Sequence, residues 1–228
     1  MLTLPERLLL ISIDDRGRPR DPKSSLGRAL AGAALTELLV AGRLHHHDDR
    51  LVPGTASPTG DTLLDEIVAE VRAEQRPRTL KWWVNRLASR HRGRQPVRDR
   101  LIDQLTDQGV LASDERLLLG LIPVATHRVA DAATAERARA AIGEVLLGHQ
   151  APDEPTAALV ALLQVSGLVD VCVPDAERRQ ARRRAEEIAA GSEAGAAVKR
   201  LQQEVLAAVT AAVVASSAAT SAGGNTSG

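Results

Sequence analysis

Leu30-Ala-Gly-Ala-Ala-Leu-Thr-Glu-Leu-Leu-Val-Ala-Gly-Arg-Leu44 is the stretch on which the fold turns. A helix is expected from about Ser25 to Ala41. Leu26, Leu30, Ala33, Ala34, Leu38 and Leu39 recur at helical spacing and form one buried stripe. Gly42 is a natural stop, because the residue after a helix commonly turns left-handed. An extended segment follows. The same sequence of events recurs at Gly109-Val110-Leu111 and at Gly167-Leu168-Val169. The echo is too loose for a repeat. A helix followed by a hairpin is also the plan of a winged-helix unit, and that alternative stays open.

Outward from this stretch, most segments read as helices. Thr3 and Glu6 form a capping box ahead of Leu8 to Ile11, so the first helix starts near residue 4. Asp14 to Ser25 is a loop rich in Asp, Gly and Pro. Arg43 to Pro53 reads as a hairpin around His45-His46-His47-Asp48-Asp49. Ser57-Pro-Thr-Gly-Asp61 is a turn feeding a helix over 61–75, with Leu63, Leu64, Ile67, Val68 and Val71 inward. Thr79 starts a helix carrying Trp82 and Trp83. Arg90 to Gln95 is a loop, and Pro96 opens a helix through Gln108 with Val97, Leu101 and Leu105 inward. Val110 to Val129 reads as a second hairpin, with Leu117–Ile122 as one strand. Helices follow near 131–147, 155–166, 175–190 and 195–215. The expected fold is mainly α: a multi-helix bundle with two short β-hairpins over residues 1–215, then a disordered tail over 216–228.

Composition bounds the function. The chain has 228 residues, 44% apolar and 25% charged, with no net charge. Phe and Tyr are absent, so the core must be built of Leu, Val, Ile and Ala. This Ala- and Arg-rich usage is that expected of a high-GC bacterial genome. No apolar run reaches the roughly 18 residues of a spanning helix, and no signal peptide is visible. The lone Cys172 reads as a small buried residue in a reducing compartment. G-x-S-x-G, Walker, H-E-x-x-H and G-x-G-x-x-G patterns are all missing, so neither catalysis nor a cofactor is expected.

The charge is nonetheless patterned. Arg86, Arg90, Arg92, Arg94, Arg98 and Arg100 follow the tryptophans with only Asp99 against them. A helix N-terminus already favours an anion. Arg94 and Arg98 flank the start of the helix after Pro96, and guanidinium forks hold phosphate well. The bland alternative is a solvated arginine-rich loop. Adjacent helical residues diverge by about 100°, so one tryptophan could lie near the surface in an interfacial role, but core packing is the expected role of both. The apolar run Leu117, Leu118, Leu119, Leu121 could insert into lipid, pair with a second subunit or lie between helices. His45 and His47 would share a strand face, but no second ligand cluster accompanies them, so no metal is expected.

Several of these segments together resemble the Golgi phosphoprotein 3-like family. They are Leu2-Thr-Leu-Pro-Glu-Arg-Leu-Leu-Leu10, the opening stretch to Leu44, Ser57-Pro-Thr-Gly-Asp-Thr-Leu-Leu-Asp-Glu66, and Val97-Arg-Asp-Arg-Leu101 followed by Gly109-Val-Leu111. Order and spacing match from residue 2 to about residue 215. The resemblance implies one mostly helical domain that binds membranes peripherally. Eukaryotic members recognise phosphatidylinositol 4-phosphate and act as adaptors for Golgi glycosyltransferases. Their pocket uses a loop Trp, an Arg on the following helix and two basic residues three apart at the start of a later helix. The second of that pair corresponds to Arg98 and the first to Gln95, beside Arg94. The helix Arg falls on Ala31, with Arg28 one turn before it, and the loop Trp falls near Pro22. The family's exposed apolar hairpin corresponds to Leu117–Ile122.

The expectation is therefore a non-enzymatic, cytoplasmic protein on the inner face of the membrane. Its partner would be an anionic phospholipid surface, with Arg98, Arg94, Arg28 and Arg90 as headgroup ligands. Protein clients and a homo-oligomer formed through Leu117, Leu118, Leu119 and Leu121 are further expectations. Nucleic acid is disfavoured, because Asp99, Asp103 and Asp107 lie on the helix that would meet its phosphates.

Overall fold

A computed structural model describes residues 2–14, 18–20, 25–48, 50–55, 57–91, 93–118, 122–130, 132–190, 204–211 and 214. The fold is mainly α. The helices are α1 (Leu4–Ser12), α2 (Leu26–Val40), α3 (Thr62–Ala73), α4 (Leu80–Ala88), α5 (Val97–Asp107), α6 (Ala132–Leu146), α7 (Glu154–Val165) and α8 (Arg178–Ala189). Residues 204–211 are also helical. Short 3-10 turns at Val169–Cys172 and Asp175–Glu177 lead into α8.

α2 is the central element. It packs against α1, α4, α5 and α7. The stripe foreseen for it is buried, and so are Ala29, Ala31, Gly32, Leu35 and Thr36. Only Gly27, Arg28, Glu37 and Val40 of α2 reach the surface, so it is a core helix, and its small residues let neighbours approach closely. At Gly32 an added Cβ would lie 2.5 Å from Val209 Cγ2 and 3.4 Å from Leu162 Cδ2. Residues 204–211 and α7 therefore close on the same spot. Gly42 ends α2 with φ +65°, and Gly109 and Gly167 also have left-handed φ.

The first hairpin is β1 (Leu44–His47) and β2 (Arg50–Pro53), paired Leu44 to Pro53. A short strand β3 (Arg78–Thr79), not foreseen from the sequence, adds to β2. Two residues carry too little pattern to announce a strand. The second hairpin is β4 (Leu111–Leu118) and β5 (Ile122–Val129), in register from Leu111↔Val129 to Leu118↔Ile122. Leu117–Ile122 is thus not one strand: β4 ends inside the run and β5 begins at its last residue. Alternation cannot reveal this, because the run is apolar on both sides of the break.

The Pro-Thr-Gly-Asp turn is tied from behind. Asp65 Oδ1 accepts from the Thr59 N–H at 2.7 Å and from the Thr59 hydroxyl at 2.8 Å. Gly60 N–H donates to Asp65 Oδ2 at 3.2 Å. Asp61 caps α3 by accepting from Leu64 N–H at 2.9 Å. Gln104 of α5 then joins three elements. Its Nε2 donates to Asp61 Oδ2 at 2.8 Å and to Glu6 Oε1 at 3.2 Å, and its Oε1 accepts from Leu63 N–H at 3.0 Å. These bonds tie the second half of α5 to α1 and to the start of α3.

Candidate functional site

Thr79 caps α4, its hydroxyl accepting from Trp82 N–H at 3.2 Å. Consecutive helical residues diverge by about 100°, and the two tryptophans divide accordingly. Trp83 is 1% exposed in the core. Trp82 is half-buried, packed against that core at the edge. The rings meet edge to face, with centroids 5.0 Å apart. The guanidiniums of Arg78 and Arg86 lie 5.0 and 5.2 Å from the Trp82 ring centre. Each such contact is worth about 0.5–2 kcal/mol. Trp82 is therefore a platform for arginines.

The arginine cluster is not one basic patch. Its organiser is Glu70 on α3, whose side chain is 4% exposed. Glu70 Oε1 accepts from Arg94 Nη1 and from Arg100 Nη1, both at 2.9 Å. Arg86 Nε lies 3.8 Å from Glu70 Oε2. Arg100 also pairs with Glu66 at 2.9 Å. A carboxylate buried to this degree needs such partners, since an unpaired buried charge costs several kcal/mol. No role was foreseen for Glu70. The available signal was an acid three residues after Ile67, on a helix stripe otherwise made of Leu, Ile and Val.

Arg98 is different. It is the second residue of α5 and half-buried. Its Nε is buried, and the guanidinium makes no hydrogen bond or ion pair among the described residues. Pro96, expected as the first helical residue, is the N-cap, and it supplies no side-chain cap. Pro96 O accepts from the Asp99 and Arg100 N–H groups at 3.0 and 3.2 Å. The Val97 and Arg98 N–H groups find no acceptor among the described residues. Among the described residues, a guanidinium and two amides without partners thus share one helix end.

The other expected ligands are placed less directly. Arg94 lies three residues before α5, and its side chain is 53% exposed, with Nη1 spent on Glu70. Arg28 Nε reaches Asn85 Oδ1 at 3.5 Å, joining the first turn of α2 to α4. Ala31 is completely buried. Arg90 is exposed just after α4. Pro22 lies outside the described residues, as do Leu119, Leu121 and the side chains of Leu117 and Leu118. The tail over 216–228 lies outside them too.

His46 Nδ1 pairs with Glu204 Oε2 at 2.6 Å, and His47 with Asp48 at 3.3 Å. No group of three metal-binding side chains converges among the described residues. Cys172 is buried in its 3-10 turn, and burial pushes its thiol up to about 12. Among the described residues no helix is long and apolar enough to cross a membrane.

A family model described as Golgi phosphoprotein 3 (GPP34) matches residues 4–205, which is most of the chain.

Proposed function

The chain belongs to the Golgi phosphoprotein 3 family, and from that premise we propose that it is a non-catalytic peripheral membrane protein whose α5 N-terminus binds anionic phospholipid headgroups. The observation that carries this reading is Arg98. A cation in the first turn of a helix opposes the helix dipole by about 0.3–1 kcal/mol. Here it is also half-buried and without an acid among the described residues. A phosphate at that point would satisfy the guanidinium, the dipole and the free Val97 and Arg98 amides together. Arg94, Arg28 and Arg90 would add weaker attraction around it. The hairpin β4–β5 would bring Leu117, Leu118, Leu119 and Leu121 to the bilayer or to a second copy of the chain. Bound in this way to the cytoplasmic leaflet, the protein would present its remaining surface to client proteins.

Co-sedimentation with neutral and acidic vesicles tests the reading. Acidic vesicles are expected to retain the protein and neutral ones to release it. Each neutralised surface arginine should cost about 1 kcal/mol, or about fivefold in affinity. The Arg98→Ala protein should lose at least that much. Equal retention on both vesicle types, or full retention by Arg98→Ala, would sink the proposal.

A further inference from the structure

The cluster around Glu70 does not balance. Arg86 on α4 and Arg100 on α5 are largely buried, their side chains 19% and 12% exposed. Glu70 is the only carboxylate of the cluster buried as deeply. Arg94 and Glu66 are half exposed and offset each other in charge. What remains out of water is two guanidiniums against one carboxylate. Neither Arg86 nor Arg100 has an ion pair beyond Glu66 and Glu70. Arg92 lies outside the described residues, and a guanidinium there would only add to the surplus.

The surplus is one of donors as well as charge. The Nε atoms of Arg86 and Arg100 are buried and find no acceptor. The Trp82 and Trp83 rings, centred 5.2 and 5.6 Å from the Arg86 guanidinium, stabilise its charge but do not replace an acceptor for Nε. A buried donor left unpaired is costly, and a buried unpaired charge more so. Both arginines line one small cavity, together with Glu70, Ser89, Arg94 and Gln95. Its volume is about 10 Å³, room for one small species and none for a phosphate group.

We propose that this cavity binds a single halide ion, which accepts from Arg86 and Arg100 and supplies the missing negative charge. A water molecule would satisfy the donors and leave the charge. The site uses neither Arg98 nor the α5 amides, so it does not depend on the headgroup reading above.

The test is urea unfolding while chloride replaces gluconate, an anion too large for the cavity. Ionic strength is held constant, which fixes general screening. The wild-type midpoint should rise with chloride and then level off. At free chloride about ten times its dissociation constant, the unfolding constant should be about elevenfold lower. Bromide should act likewise. Arg86→Gln removes the surplus charge and should abolish the response. Gln95→Glu keeps the test open if Arg86→Gln does not fold. It places a carboxylate at an exposed position on the cavity wall. That protein should exceed the wild type in gluconate and no longer respond to chloride.

A wild type with the same midpoint in both anions overturns the proposal. So does a chloride response that survives in Gln95→Glu. A bromide-soaked crystal with water, and no anomalous peak, beside Arg86 and Arg100 overturns it too. None of these outcomes touches the headgroup reading, which is read from vesicles.

Discussion

Glu70 shows how one residue can change the meaning of its neighbours. In the chain, Arg86, Arg94 and Arg100 look alike. In the fold they converge on a carboxylate that is 4% exposed, and Arg98 is left out. Removing one partner of a buried ionic cluster strands the other charges. Glu70→Ala should therefore destabilise the protein by about 3–5 kcal/mol, read from urea unfolding curves. Arg90→Ala, at an exposed position, should change stability by less than about 0.5 kcal/mol. Comparable curves for the two variants would show that Glu70 is not a hub. None of this was visible in the run of arginines, because a guanidinium's partner is chosen by helix packing across distant sequence.

Elements meet here through small residues as much as through large ones. An added Cβ at Gly143 of α6 would sit 2.7 Å from the backbone oxygen of Cys172. A backbone atom in a 3-10 turn cannot step aside as a flexible side chain can. Alanine is better than glycine in a helix by about 1 kcal/mol, but overpacking costs typically about 1–3 kcal/mol. Gly143→Ala should therefore lower stability on balance, measurable as a lower urea midpoint with an unchanged slope. A higher midpoint would mean that α6 and the turn are not in firm contact. The helices themselves were legible from spacing: α3, α4 and α5 lie within a few residues of expectation, with Val97, Leu101 and Leu105 all fully buried. The hairpin after α5 was also legible, but not the break in its apolar run. Pairing between strands, rather than local composition, set the ends of β4 and β5.

Across the molecule, carboxylates act as fasteners between segments. Asp65 is pushed up by burial, but Thr59 and Gly60 donors and the Arg43 charge outweigh this and lower it. Asp153, the α7 cap, is lowered mainly by Thr156. Asp170 is lowered by the Arg182 hydrogen bond, with Arg178 nearby. A group whose pKa is lower in the folded state adds stability that is complete above its unfolded value. That stability disappears as the pH falls through the folded value. The melting temperature should therefore hold down to about pH 4 and drop steadily below it. Replacing Asp65, Asp153 and Asp170 together by Asn should flatten that drop while lowering the melting temperature at neutral pH. An unchanged acid limb would exclude these carboxylates as its cause.

Hydrophobic spacing, caps and glycine stops were enough to determine a mainly helical chain and most of its helix ends. They also carried the family resemblance, because these signals act over a few residues. Which arginines pair with the buried Glu70, and that Arg98 has no carboxylate partner among the described residues, was decided only by tertiary structure. Charge compensation depends on what is adjacent in space. Glu70 stands 30 residues before Arg100 in sequence and 2.9 Å from it in the fold.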